Sequence, residues 1–163
     1  MSIAKRKKTK IFADYGISPY AWSVGEDGIS GPYSHYFPDN PEIVQLDQEF
    51  EKWSIWYQDS GSNAKMFPWT QFNKQGLALA KRLAMILDAY DIDVIYCRSG
   101  GDPYEHRWSR KGYSLYYCLI PDKNTNGKPL CRVKSVKELF PETSEPLLLS
   151  LLPPKTVLFL RQQ

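Results

Sequence analysis

The chain has 163 residues, enough for one domain with a hydrophobic core, and its 42% hydrophobic and 24% charged residues are ordinary for a globular protein. Its three cysteines are odd in number and form no CxxC pair, which excludes a simple disulfide framework and predicts reduced thiols and no metal site. No apolar segment reaches the ~20 residues of a membrane-spanning helix. No apolar region follows the basic amino terminus, as it would in a secretory signal. We therefore expect a cytoplasmic protein that does not associate with a membrane.

The net charge of +3 is distributed unevenly along the chain. Residues 1–10 carry five basic side chains and no acidic one, residues 11–64 have a net charge of −8, and residues 65–163 have a net charge of +6. Such a division bears on the partners of a protein and on how fast they meet, rather than on its fold. We interpret residues 1–10 as a flexible basic tail and residues 11–163 as a single domain.

The domain is predicted to begin with a short strand, a long loop and a helix. Residues 11–15 have strand composition, and the many glycines and prolines of residues 25–41 are typical of a loop. Asn40 and Pro41 indicate a helix start, because asparagine caps helices and proline is favoured at the first helical position. The apolar residues that follow recur every three or four positions, which predicts one buried helical face. They are Ile43, Leu46, Phe50, Trp53 and Tyr57.

A second helix and most of the sheet are predicted to follow. Helical periodicity starts at about Asn73, and the apolar positions in register are Leu79, Leu83, Ile86 and Tyr90. DVIYCRS has strand composition, and YSLYYCLIP and PLCRVKS are predicted to form a hairpin around an Asn-Gly turn. A short helix at VKELF and a last strand at KTVLFLRQ complete the order. This order predicts an α+β fold, with two main helices packed on a largely antiparallel sheet as a single pair of layers.

Two loops contain residues that could take part in catalysis. Asp14 ends the first predicted strand, but its neighbours supply no second carboxylate, so a turn-capping role is the better interpretation. His106 could act as a base oriented by Asp102. Arg107 and Arg110 beside it would then suit a nuclease. Because that spacing imposes no geometry and the chain contains no recognised catalytic or nucleotide-binding motif, we predict neither an enzyme nor a cofactor.

The 98–111 segment leaves an alternative open. It interleaves basic and aromatic side chains, a mixture that nucleic-acid-binding proteins use for phosphate contacts and base stacking. Its residues of interest are Arg98, His106, Arg107, Arg110 and Lys111. The acidic first third of the chain would repel a nucleic-acid backbone, so we expect no direct nucleic-acid binding. A nucleic-acid-binding protein or nuclease that uses this segment is the alternative.

Four sequence segments, in order, resemble a known group of proteins. FADYG-SP-W near the amino terminus is followed by W--WY in the first helix, by GLALAKRLAMIL in the second and by DIDVIY in the next strand. Over about residues 11–97 this order is similar to small bacterial immunity proteins of polymorphic toxin systems, including contact-dependent growth inhibition. The resemblance does not extend to residues 98–163.

The resemblance implies a non-enzymatic inhibitor that binds a cognate toxin domain in the cytoplasm and blocks its active site or its substrate approach. Many such toxins are nucleases with basic grooves, which an acidic surface bearing rigid aromatic residues would suit. We expect the toxin to contact the acidic 26–51 region, through Glu26, Asp27, Asp39, Asp47, Glu49 and Glu51. A second expected contact is formed by Arg98, His106, Arg107, Trp108 and Arg110.

Overall fold

A computed structural model of the chain describes residues 6–13, 20–23, 28–98, 116–122 and 130–135. Five strands lie within these ranges: Lys7–Ile11 (β1), Ala21–Ser23 (β2), Ile92–Cys97 (β3), Tyr116–Asp122 (β4) and Leu130–Ser135 (β5). The two long helices are Pro41–Tyr57 (α1) and Trp69–Leu87 (α2), and short 3-10 helices occupy Tyr33–His35, Gln58–Gly61 and Asp88–Tyr90. The helices pack together and on the sheet, which confirms the predicted α+β class.

The five strands form one mixed sheet in the order β2-β1-β3-β4-β5. Three of the four pairings are antiparallel, and β1 pairs with β3 in parallel. A parallel pairing needs a long crossover connection, and here both helices lie in it. The predicted hairpin is confirmed, since β4 and β5 pair antiparallel with Leu119 opposite Val133.

The amino-terminal strand lies earlier than its composition predicted. We expected a flexible tail at residues 1–10 and a strand at residues 11–15, but β1 spans Lys7–Ile11. The reason is its position inside the sheet, where β2 and β3 both pair with it. Lys8 stands opposite Asp93 in that register and is buried. Residues 7–10 therefore belong to the folded domain.

Arg6 fixes the beginning of β1 to the turn before β3. Its guanidinium donates hydrogen bonds to Asp88 Oδ1 at 2.7 Å, to Asp91 Oδ1 at 2.9 Å and to Asp93 Oδ1 at 3.0 Å. The ordered arrangement of this basic side chain therefore depends on carboxylates more than eighty residues away.

The first helix agrees with its sequence pattern. The side chain of Asn40 accepts hydrogen bonds from the backbone N–H groups of Glu42 at 3.1 Å and Ile43 at 3.3 Å, and Pro41 is the first helical residue. All five predicted apolar residues of the buried face are buried. The local capping and spacing signals were therefore sufficient for α1.

The second helix begins at Trp69, one turn before the predicted start at Asn73. Its first turn is fixed by aromatic packing, because Phe72 stacks on Trp53 of α1 with ring centroids 4.6 Å apart. The Trp53 Nε1–H also donates to the Phe72 carbonyl oxygen at 2.9 Å. These contacts join residues of two different helices, so the hydrophobic periodicity of the α2 sequence does not reveal them. Gly76, one turn further along α2, lies against the same layer of rings.

The remaining predicted elements lie outside the described residues. They are the short helix at VKELF, the last strand at KTVLFLRQ and the end of the first predicted strand with Asp14. One described strand, Ala21–Ser23, was not predicted.

Candidate protein-binding surface

The acidic residues predicted to contact a toxin are separated by α1. Asp47 and Glu51 are one turn apart, and helical geometry puts them on one flank of the helix. Glu49 lies between them in sequence but on the opposite flank. Asp39 precedes the helix and is exposed, as Glu51 is. The four described residues therefore do not form one cluster.

Asp47 holds the loop before α1 in place. Its carboxylate accepts the backbone N–H groups of Tyr33 at 3.1 Å and Ser34 at 2.7 Å, so it caps the 3-10 helix Tyr33–His35. Partial burial raises the pKa of the Asp47 carboxyl above its ordinary value, and the two amide hydrogen bonds oppose that shift. The contacts of Asp47 serve the fold and position the next residues along the loop.

Glu49 connects the two helices. It accepts two hydrogen bonds from Arg82 of α2, at 2.7 and 3.2 Å, and one from Gln45 Nε2 at 3.2 Å. Hydrogen bonding from Arg82 is the main reason why the pKa of Glu49 is lowered. Since both side chains are solvent-accessible, the pair contributes little to stability. Arg82 neutralises the negative charge of Glu49, so Glu49 attracts a basic partner less strongly than the sequence predicted.

Two tyrosine rings are exposed near the amino-terminal end of α1. Tyr36 is 52% exposed and Tyr90 is 44% exposed, which is high for aromatic side chains. The ring of Phe37 supports Tyr90 from behind, with centroids 4.1 Å apart. Asn40 Nδ2 also lies 3.5 Å from the Tyr90 hydroxyl oxygen. The exposed ring of Tyr90 is therefore fixed to the fold at its inner side.

These rings line an open depression, which we call the aromatic–acidic depression. Its described lining consists of Tyr36, Phe37, Asp39, Asn40, Glu42 and Tyr90, together with two prolines. Within the described residues, neither Asp39 nor Glu42 makes an ion pair. The depression thus combines apolar rings with two accessible carboxylates.

A second open depression adjoins the first along the outer side of α1. It shares Pro38, Asp39 and Pro41 with the aromatic–acidic depression and continues past Gln48 to Lys52. We call the two together the α1 surface. This surface is continuous over more than two turns of the helix.

Sequence reasoning missed three residues of the α1 surface. Tyr90 was predicted to continue the buried face of the second helix, but α2 ends at Leu87 and a 3-10 helix follows, so Tyr90 faces solvent. Tyr36 and Glu42 were not singled out. The segment YFPDNPE could have indicated them, because it places aromatic and acidic residues beside two prolines. Prolines restrict the conformation of a loop, and such loops often present binding residues.

Several predicted contact residues lie outside the described part of the chain. Of the second contact set only Arg98 is described, directly after β3 and partly buried. The others are His106, Arg107, Trp108 and Arg110, and of the acidic set Glu26 and Asp27. Lys111 of the alternative prediction is also outside.

The described residues were also compared with the requirements of a metal site and of a reactive cysteine. No group of three or more histidine, cysteine or acidic side chains there could hold a metal ion. No disulfide joins Cys97, Cys118 and Cys131, and burial raises the pKa of the Cys118 thiol to about 12 and that of Cys131 to about 11. Both thiols are therefore neutral and poorly nucleophilic at ordinary pH. Among the described helices, none has the length and apolarity to cross a bilayer.

Comparisons with protein-family models, with curated proteins and with solved structures find no match for this chain. Its own surface and its own sequence pattern are therefore what point to a function.

Proposed function

We propose that this chain is an immunity protein that binds and neutralises a cognate toxin domain through the α1 surface. The observation that carries the proposal is the aromatic–acidic depression, where the exposed rings of Tyr36 and Tyr90 lie beside the carboxylates of Asp39 and Glu42. Exposed, supported rings next to accessible charge are typical of protein-binding surfaces.

The tyrosines supply the contact area that binding needs. A tyrosine contributes a large apolar surface and loses little conformational entropy on binding, which is why it is enriched among residues that dominate interface energies. Tyr90 packs on Phe37 in the free protein, so part of its ordering has already taken place. A partner that covers the depression would bury both rings.

The charge of the same region favours a basic partner. Residues 11–64 have a net charge of −8, and the exposed carboxylates of Asp39, Glu42 and Glu51 lie on or beside α1. An acidic surface attracts a basic partner over long range and raises the association rate in a salt-dependent way. A nuclease toxin, whose substrate groove is basic, fits this description.

The inhibitory role is supported by the ordered sequence resemblance over residues 11–97. In the proposed mechanism the α1 surface covers the active site or the substrate groove of the toxin in the cytoplasm of the producing cell. Inhibition needs no chemical step by this chain, because an occupied groove excludes the nucleic acid.

Two assays with the candidate toxin domain test the proposal: neutralisation of the domain in cells and binding of the domain in solution. We expect the full chain to restore growth of cells that express that domain and to bind it tightly at low salt. The variant Asp39→Lys/Glu51→Lys should associate at least about tenfold more slowly, because reversing charge removes long-range attraction. Met66→Ala, at a side chain 79% exposed and remote in sequence, is the matched surface control. No growth rescue together with no binding at low salt would refute the proposal.

The purified chain alone tests the alternative. Incubation with tRNA and with DNA should give neither cleavage nor salt-sensitive binding. Cleavage that is lost in His106→Ala would instead support a nuclease that uses the 98–111 segment.

A further inference from the structure

We propose that the aromatic–acidic depression is the site that receives an arginine side chain of the partner protein. This inference rests on the proposed function, since it assigns a partner chemistry to the α1 surface. It goes further by naming the chemical group that enters the depression and the residues that bind it.

The charge of the depression selects a cation. Asp39 and Glu42 are both exposed, and within the described residues neither has an ion-pair partner. The nearby arginine of α2, Arg82, is bound in a bidentate pair by Glu49 and interacts with Glu42 only electrostatically, without an ion-pair contact among the described residues. The two carboxylates of the depression therefore remain available to a charge from outside.

The helix start beside the depression does not select an anion. Helix amino termini bind anions through free backbone N–H groups, but none of the first four is free here. Pro41 has no N–H, the side chain of Asn40 accepts those of Glu42 and Ile43, and the Asn40 carbonyl accepts that of Val44. The positive end of the helix dipole instead stabilises the carboxylates that line the depression.

The rings select a planar cation over a compact one. Guanidinium groups stack on aromatic faces and donate two parallel hydrogen bonds to one carboxylate, whereas an ammonium group is a strongly hydrated point charge. Tyr36 and Tyr90 provide the faces, and Asp39 and Glu42 provide the acceptors in the same depression. Arginine uses both features at once, and lysine uses mainly the charge.

Amide chemical shifts of the full chain, followed by NMR, test this inference without the toxin. Three short peptides serve as probes, identical except for a central arginine, lysine or citrulline. Citrulline keeps the planar shape of arginine and lacks its charge. We expect the arginine peptide to shift the amides of Tyr36, Asp39, Glu42 and Tyr90, the lysine peptide to bind several-fold more weakly, and the citrulline peptide to cause no saturable shift.

Variants locate the site. Asp39→Asn/Glu42→Gln and, separately, Tyr90→Ala should each weaken arginine-peptide binding by about tenfold, a change of about 1.4 kcal/mol. Asp59→Asn removes one exposed carboxylate outside α1, and Met66→Ala removes an exposed apolar side chain, so both should bind like the wild type. Thermal melts check that every variant is folded, and the comparison of peptides on the wild type needs no variant.

Failure of this inference and failure of the proposed function give different results. Equal binding of the arginine and citrulline peptides, or shifts that persist in Asp39→Asn/Glu42→Gln, would overturn the arginine site even if the toxin domain binds. Saturable arginine binding that needs Asp39, Glu42 and Tyr90, in a chain that does not bind the toxin domain, would support the site and refute the immunity function.

Discussion

Among the described residues, aromatic side chains occur in two settings, a packed layer and an exposed surface, and the exposed one is available to a partner. In the layer between the helices and the sheet, two large rings use their polar groups in hydrogen bonds: Trp53 donates to the Phe72 carbonyl, and the Tyr96 hydroxyl lies 3.1 Å from the Asn73 carbonyl oxygen. At the α1 surface, Tyr36 and Tyr90 are about half exposed. The first group holds the helices together, and the second is accessible for binding.

The comparison shows that ring content alone does not reveal a binding surface. The chain is 14% aromatic, which suits a core and an interface equally well. The rings of the core are packed on every side, and Tyr36 and Tyr90 are not. This difference arises from the tertiary structure and cannot be predicted from composition. Substitutions that affect one region and spare the other are therefore the sharpest tests of the division.

Gly76→Ala should have the largest effect on stability. Alanine normally stabilises a helix interior by about 1 kcal/mol relative to glycine. Here its Cβ would lie 2.7 Å from Trp53 Cε2 and 2.9 Å from the Tyr96 hydroxyl oxygen, so the rings would have to move. We expect the free energy of unfolding in urea to fall by about 1–3 kcal/mol. Lys74→Ala, at an exposed position of the same helix, is the control, and a stability gain for Gly76→Ala would contradict the tight layer.

Asp47→Asn should have a smaller, pH-dependent effect, because Asp47 connects the loop that carries Tyr36 to α1. The ionised carboxylate accepts both amides, whereas asparagine keeps one acceptor and presents an N–H group to the second, so the free energy of unfolding should fall by about 1 kcal/mol. Burial raises the folded-state pKa of Asp47 above 3.8. The linked stabilisation is therefore full below pH 3.8 and is lost as pH rises through the folded pKa.

The difference between wild type and Asp47→Asn should accordingly be larger in acid than at neutral pH. Urea unfolding of both proteins at several pH values measures it. A difference that grows as pH rises would mean that folding lowers the pKa of Asp47 instead.

The first helix could be predicted because its signals are local. Asn40, Pro41 and the apolar spacing all act within a few turns of chain, and the structure agrees with each of them. The second helix was predicted in its middle but not at its start, because Trp69 and Phe72 are ordered by contacts with α1. The helix propensity of a single segment does not depend on contacts with another helix and therefore cannot predict them.

β1 and the aromatic–acidic depression were missed for the same physical reason. Residues 7–10 were predicted to belong to a basic tail, but Arg6 binds three aspartates and β1 pairs with β3, and all of these partners lie more than eighty residues along the chain. Tyr90 continues a helical spacing in sequence, yet the change to a 3-10 helix after Leu87 turns it towards solvent. Tertiary contacts therefore determine both the exposure of the Tyr90 ring and the ordered conformation of β1.

Glu49→Gln should cost less than Asp47→Asn. The Glu49–Arg82 pair is solvent-accessible, so we expect a loss of about 0.2–1 kcal/mol that disappears at high salt. Hydrogen bonds from Arg82 lower the folded-state pKa of Glu49 below 4.5, so this contribution is present above pH 4.5 and is lost as pH falls through the folded pKa. Urea unfolding at low and high salt tests it, with Glu51→Gln as the control on the same helix. A loss that persists at high salt would show a buried role for the pair.

Tyr36→Ala should have the smallest effect on stability and a clear effect on binding, which is the opposite of Gly76→Ala. Half of the Tyr36 side chain is already in water, so its removal should change the free energy of unfolding by no more than about 0.5 kcal/mol. Loss of an interface tyrosine typically weakens binding by more than about 1 kcal/mol, whereas Met66→Ala should change neither quantity. Urea unfolding and titration with the toxin domain measure the two effects separately. If Tyr36→Ala destabilised the fold as much as Gly76→Ala does, the exposed tyrosines would belong to the same packed layer, and the α1 surface would lose its distinction from the core.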